Sequence, residues 1–368
     1  MDKPTSTSAP GKLRLDHYLR SFAGILAGLF LLWRLYTALI VEQQFGADTW
    51  VRFALSGLIL GGMYALIAIG YTLVYGIMFM INFAHGEVMM LGAFGGFFTF
   101  EALRFIPAPT PAIPDLNFLD AHPIISVILA FAVGISVSAT AGYFLEKIAY
   151  RPLRKAPRLI LLITAIGASI FLQNLAMLLF GPQRKNVVNP ELLDRGAGWT
   201  VIVNSNPVLI SYTGVFSLIL SAVLMIALYI LVQQTKLGRA MRAVASDKNT
   251  ASLMGVDVDG VISKTFIISG ALAGAAGVMW GIHMGLVNHY TGFLPGIKAF
   301  TAAVMGGIGN IPGAMLGGML LGVIEAVGPA ALGIDFQLKD VIAFSILVLV
   351  LIVRPSGILG EKLSEEKL

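Results

Sequence analysis

Apolar runs of about 20 residues, separated by short polar stretches, recur along almost the whole chain. Each is long enough for one helix to cross a hydrocarbon core about 30 Å thick. They predict spans near 21–41, 51–75, 77–100, 123–145, 158–180, 208–232 and 262–283. A Gly-rich stretch at 297–332 is too long for one span, and Asn310-Ile311-Pro312-Gly313 divides it into a short half-helix and a full helix. A last span at 337–353 stops at Arg354-Pro355. The pattern predicts an all-α, polytopic integral membrane protein of about ten transmembrane or partly embedded helices. Residues 1–50 form an N-terminal extension with one extra helix, 51–360 the main body and 361–368 a tail.

Composition strengthens this picture. Only 12% of residues are charged and 57% are hydrophobic, against about a quarter charged in average soluble domains. Cysteine is absent, which excludes disulfides, thiolate metal sites and a cysteine nucleophile. The five histidines, His17, His85, His122, His283 and His289, show no metal-ligand spacing. No basic, aromatic-laced surface suggests nucleic-acid binding.

The formal net charge of +5 matters through its placement. Residues 146–158 hold Lys147, Arg151, Arg154, Lys155 and Arg158 against Glu146, and residues 234–248 hold Lys236, Arg239, Arg242 and Lys248 against Asp247. Both stretches are expected in the cytoplasm by the positive-inside bias. The Pro-rich, acidic loop 101–122 and the mixed loop 181–207 then lie outside, and both termini lie in the cytoplasm. Arg34 lies within the first span, where an arginine at the helix centre costs about 2.5–3.5 kcal/mol on insertion scales. A signal-peptide reading of that segment lacks an A-x-A cleavage site, so a retained helix is expected. Small-residue spacing at Gly57, Gly61 and Gly62, at Gly270, Gly274 and Gly277, and at Gly313, Gly317, Gly318 and Gly322 marks close helix packing.

Three stretches carry candidate chemistry. In residues 71–92, Asn82, His85 and Glu87 interrupt an apolar run. A break at Gly86 would bring all three to one cavity as a pathway lining or gate; alternatively they tie helices together by hydrogen bonds. In residues 289–314, Pro295-Gly296 and Pro312-Gly313 bracket a short piece holding Lys298. Interrupted helices of this kind mark transport pathways, although a lysine here is expected to snorkel towards the interface. Glu325 follows in the next span, either paired with a cation or protonated. The basic loop 236–264 is long enough for two short helices parted near Asp247-Lys248, with a Gly stop at Gly255. It reads as a docking element or as a solvated positive-inside loop.

From about residue 54 to 360 the chain closely resembles the permease subunits of ATP-binding-cassette importers for branched-chain amino acids, and most of all the first of their two paralogous permeases. The resemblance rests on SGLILGGMYALIAIGYTLVYGIMFMINFAHGEVMMLGAF, EKIAYRPLR, ITAIGASIFLQN, GRAMRA followed by ASLMGV, KAFTAAVMGGIGNIPGAMLGG and the closing RPSGILG. It implies that residues 249–255 correspond to the EAA-xxx-G element that docks the ATPase. Asn249 and Thr250 stand where that element has Glu and Ala, followed by Ala251 and Gly255, and Gly238, Arg239 and Arg242 belong to the same loop. Residues 82–86 match a family signature in a pathway helix. The implied partners are a second permease (a paralogue or a second copy), two ATPase subunits and an extracytoplasmic binding protein, in the bacterial inner membrane. The chain has no G-x-x-x-x-G-K-S/T phosphate loop, so it is expected to hold no cofactor and to be no enzyme, with ATP bound and hydrolysed by its partners. A stand-alone secondary transporter or channel would use several intramembrane charges, for which Glu87, Glu325 and Lys298 are the candidates. An intramembrane enzyme would show a motif such as G-x-S-x-G or H-E-x-x-H, and neither is present.

Overall fold

The structure is a computed structural model that describes residues 28–30, 32–42, 45–108, 116–154 and 156–360. The start of the expected first span, the basic residues before it, part of the loop 101–122, Lys155 and the tail 361–368 lie outside the described residues.

Helical residues at 32–36 run into a π-helical turn, Thr37–Glu42. The main helices follow as α1 (Ala47–Met78), α2 (His85–Arg104), α3 (Pro123–Phe144) and α4 (Arg158–Phe180). Next come α5 (Tyr212–Gln234), two short helices α6 (Lys236–Ser246) and α7 (Lys248–Leu253), and α8 (Val258–Met284). The half-helix α9 (Phe293–Gly306), α10 (Ile311–Leu332) and α11 (Lys339–Val353) complete the bundle. Seven of these helices are long and apolar enough to cross a membrane. The protein is a multi-pass, all-α membrane protein.

α1, α2 and α8 bury most of their residues, and glycine explains how they pack. Gly57 and Gly61 of α1 lie against Met319, Gly322 and Val323 of α10, and Gly318 lies against Ala65. Gly270 and Gly274 of α8 lie against α3 at Ser138 and Gly134, and Gly277 lies against α2 at Met89. Without a hydrophobic driving force between helices in lipid, such backbone contact is what binds them. α3, α4 and α5 keep large apolar side chains exposed on their outer faces, among them Ile128, Ile163, Phe171 and Ile226.

The sequence reading differs from the structure at three places. The break after α1 falls at residues 79–84, opened by Phe79 with φ 52°, and Gly86 lies inside α2. Asn82 therefore sits in the break and shares no helix face with His85. Second, the expected span 208–232 starts later, because its first residues belong to a β-hairpin. β2 (Gly198–Val203) pairs antiparallel with β3 (Asn206–Ser211) across Asn204 and Ser205, both with positive φ, the turn geometry that matches the twist of two-residue hairpins. Third, Lys298 does not snorkel outward, as described below. A smaller antiparallel pair joins β1 (Lys185–Asn186) to β4 (Leu286–Val287).

Arg151 donates to Asp259 at 2.7 Å and Arg154 pairs with Asp259 and the buried Glu146, so the basic stretch 146–158 meets the start of α8, just after the second basic stretch. The closing segment is held at the end of α9, where Ile358 and Leu359 donate to the carbonyls of Met305 and Gly306 and Asn310 Nδ2 donates to the Leu359 carbonyl at 2.9 Å. The hairpin caps the other end of the bundle, where Asn206 donates to Asp48 at 3.2 Å. Arg34 is also near that end. It pairs with Glu42 at 2.7 Å and donates at 3.0 Å to the Leu332 carbonyl at the end of α10.

Candidate functional site

The break 79–84 delivers three polar residues to three different places. The Tyr150 hydroxyl donates to Asn82 Oδ1 at 2.6 Å, both groups being buried, so Asn82 ties the break to the segment after α3. His85 opens α2 with its ring edge-on to Tyr71, 4.9 Å between centroids, and its Nδ1 is 3.4 Å from Ser269 Oγ. The Ser269 hydroxyl also reaches the Gly70 carbonyl at 3.1 Å. The ring occupies the space that a Cβ on Gly70 would need. Asn82 and His85 both make contacts that tie helices together.

Glu87 is different. It is fully buried, in the first turn of α2, and faces α4. Gln173 Nε2 donates to Glu87 Oε1 at 2.7 Å and Ser169 Oγ to the same oxygen at 3.2 Å. Ser169 and Gln173 are four apart on α4 and so share one face. The other carboxylate oxygen, Oε2, has no hydrogen-bond partner among the described residues. Glu87 is one of the residues around a cavity of about 450 Å³ whose walls include Tyr71 and Phe83, Ile166 and Ile170 of α4, and Gly292, Phe293 and Ile297 at the start of α9. The N-termini of α2 and α9 meet at this cavity because Gly86 and Gly292 place backbone against backbone; a Cβ on either would overlap the other. That is the use of Gly86: close approach, not a helix break.

Lys298, one residue beyond the cavity wall, turns the other way. Its side chain is 8% exposed, and its Nζ lies 2.8 Å from Glu325 Oε1 and 2.7 Å from Asp340 Oδ1. Lys339 reaches the same Glu325 oxygen at 3.1 Å, and the Tyr64 hydroxyl donates to Glu325 Oε2 at 2.9 Å. Two cations and two carboxylates thus join α1, α9, α10 and α11 in one charge-neutral network. The apolar pattern of α9 gave no sign of these partners, since they are supplied by two later helices.

The loop after α5 folds as two helices, with the boundary at Asp247. Thr235 caps α6 by accepting from the Gly238 amide at 3.0 Å. Asp247 caps α7, accepting from the Asn249 amide at 2.8 Å and from the Thr250 amide at 3.3 Å. The Thr250 hydroxyl on Asp247 holds its carboxyl below the usual aspartate range. Gly238 packs against the backbone of Val232, to whose carbonyl Arg242 donates. Arg239 and Asn249 are exposed, and Ala251 is the buried residue of α7. Gly255 ends the pair at φ 83° with open space around it, a conformation that favours glycine. Just before it, Leu253 and Met254 are 87% and 81% exposed.

The comparisons with known proteins agree with this architecture. A family model described as branched-chain amino acid transport system / permease component matches residues 53–351. The chain is 48% identical over 307 residues to the high-affinity branched-chain amino acid transport system permease protein BraD of Pseudomonas aeruginosa, covering 83% of this chain and 94% of that protein. Over the same length and shares it is 45% identical to the permease protein LivH of Escherichia coli K12. A probable branched-chain amino acid permease of Methanocaldococcus jannaschii is 28% identical over 327 residues, 85% of this chain and 94% of that protein. No solved structure matches the chain. Matched across most of its length by both the family model and these relatives, the chain belongs to the permease components of branched-chain amino acid transport systems.

Proposed function

We propose that this chain is a transmembrane subunit of an ATP-driven importer in the bacterial inner membrane, translocating leucine, isoleucine, valine or a related amino acid. Its partners in this reading are a second permease, either a paralogue or a second copy, two cytoplasmic ATPase subunits and an extracytoplasmic binding protein that delivers the substrate. The relatives named above are permeases of high-affinity branched-chain amino acid transport systems, and this supports the choice of substrate.

The observation that carries the ATPase partnership is the capped helix pair α6–α7. A solvated loop has no use for two N-caps, a glycine stop and an apolar tip at Leu253 and Met254 facing outward. An apolar knob on a rigid basic base suits insertion into a cleft of another protein. With the basic end in the cytoplasm, that partner is cytoplasmic, both termini are on the same side, and the hairpin 198–211 faces the binding protein. ATP binding and closure of the ATPases push on α6–α7, and the bundle shifts between outward- and inward-facing packings.

Purification from native membranes in mild detergent, with identification of every associated chain, tests this reading. Recovery of a second permease and ATPase subunits is the expected result. Recovery of this chain without an ATPase would contradict it and favour a stand-alone transporter.

A further inference from the structure

Glu87 has no structural explanation of the kind that accounts for the other buried charges. Glu325 is met by two lysines and a tyrosine hydroxyl, and Glu146 by Arg154 and Ser263. Glu87 is met only by neutral donors, and both of them go to one oxygen. A buried carboxylate without a cation is costly at membrane depth. A residue that merely tied α2 to α4 would do so more cheaply as Gln. Oε2 is closed off and unpartnered, Glu87 is one of the residues around a cavity, and a cation drawn in from that cavity would complete the shell of Oε2.

The rest of the cavity restricts what that cation is. Its walls combine one carboxylate with Ile166, Ile170, Ile297, Phe83 and Phe293, so the ligand has one cationic group and an aliphatic body. About 450 Å³ is near the lower end of ligand-site volumes and suits a small molecule. Beside Glu87, where Gly86 and Gly292 touch, stands the start of α9, a helix of 14 residues whose N-cap Gly292 supplies no side chain to its first amides. The positive end of a helix that starts inside a membrane protein suits an anionic group. Cation, anion and aliphatic body together describe a free α-amino acid with a branched side chain.

We propose that the cavity over Glu87 is a binding site within the permease itself for the translocating amino acid, with Glu87 Oε2 accepting from the α-ammonium group. Gln173 and Ser169 are positioning residues that hold the carboxylate by its other oxygen. The start of α9 receives the α-carboxylate, and the isoleucines and phenylalanines receive the side chain. The inference rests on the permease reading and adds that the permease recognises its cargo instead of leaving all selection to a binding protein.

The test uses the complete transporter in nanodiscs without binding protein, and two probes of equal size: L-leucine and 2-hydroxy-4-methylpentanoate, which lacks the ammonium. Thermal stability is recorded against probe concentration, since a ligand that binds the folded state alone raises it by mass action. Leucine is expected to stabilise the wild type, and the hydroxy acid to need at least about tenfold more, the scale of a hydrogen bond to a charged group. Glu87→Gln should raise the half-effective leucine concentration by a similar factor. No leucine effect on the wild type, equal effects of the two probes, or an undiminished effect in Glu87→Gln would overturn the site. The probe comparison on the wild type stands even if Glu87→Gln fails to assemble. The ATPases present in the same preparation, and leucine uptake once binding protein is added, report separately on the permease reading.

Discussion

Two carboxylates, 0% and 3% exposed, make opposite use of their surroundings. Glu325 sits in a closed neutral network with Lys298, Lys339, Asp340 and Tyr64. Glu87 has two neutral donors on one oxygen, none on the other, and a cavity beside it. A saturated network fixes helices, because any movement unpairs charges in a low dielectric. An unsaturated carboxylate leaves capacity for a visitor. Burial and charge alone do not separate the two cases; the count of partners does.

The largest expected effect comes from opening the saturated network. Glu325→Leu leaves the buried Lys298 with a net cationic network and removes the acceptor of the Tyr64 hydroxyl, which should cost on the order of 3 kcal/mol. Size-exclusion chromatography of membrane extracts should show less folded chain. Removing both charges, as Lys298→Met with Glu325→Leu, should recover most of that loss, because an apolar pair of similar volume replaces the ion pair. If the double variant is no better than the single one, Lys298 has a role beyond pairing. Next in size is Gly255→Leu at the tip of the docking pair. A side chain at φ 83° costs about 1–2 kcal/mol, but open space surrounds the position and the bundle should assemble. ATP-driven uptake in proteoliposomes should be abolished while insertion is kept; normal uptake would remove α6–α7 from the coupling role.

The smallest effect concerns Asp247. Its carboxylate caps α7 and titrates below the usual aspartate range, so the cap is present throughout neutral pH and is lost only as pH falls through that lowered value. Amide exchange at Asn249 and Thr250 should therefore stay protected through mildly acidic pH and rise only below the usual aspartate range. An increase already near neutral pH would mean that Asp247 is not the cap.

Much of this architecture was legible in the chain. Span positions, the divided stretch at Asn310–Gly313 and the two-helix loop broken at Asp247 follow from apolar run lengths and capping residues, all local signals. The misreadings are long-range. Gly86 signals a break, yet its absent side chain is needed for contact with Gly292, and the break itself rests on Phe79 in a left-handed conformation. Lys298 looks like an interfacial lysine until α10 and α11 bring Glu325 and Asp340 to it. The hairpin hides in a loop of mixed charge, although its β-branched runs on either side of Asn204-Ser205 are a strand signal. Ser169 and Gln173 were readable as polar residues four apart in an apolar span, but only the fold sets them against Glu87.

The most direct test of the contrast between the two carboxylates measures Glu325→Leu and Glu87→Gln side by side for thermal stability and for leucine uptake per folded transporter. The account predicts that Glu325→Leu loses stability and keeps most of its uptake per folded molecule, whereas Glu87→Gln keeps its melting temperature and loses at least about tenfold in uptake at low substrate. A Glu87→Gln variant that melts early yet transports normally would contradict it.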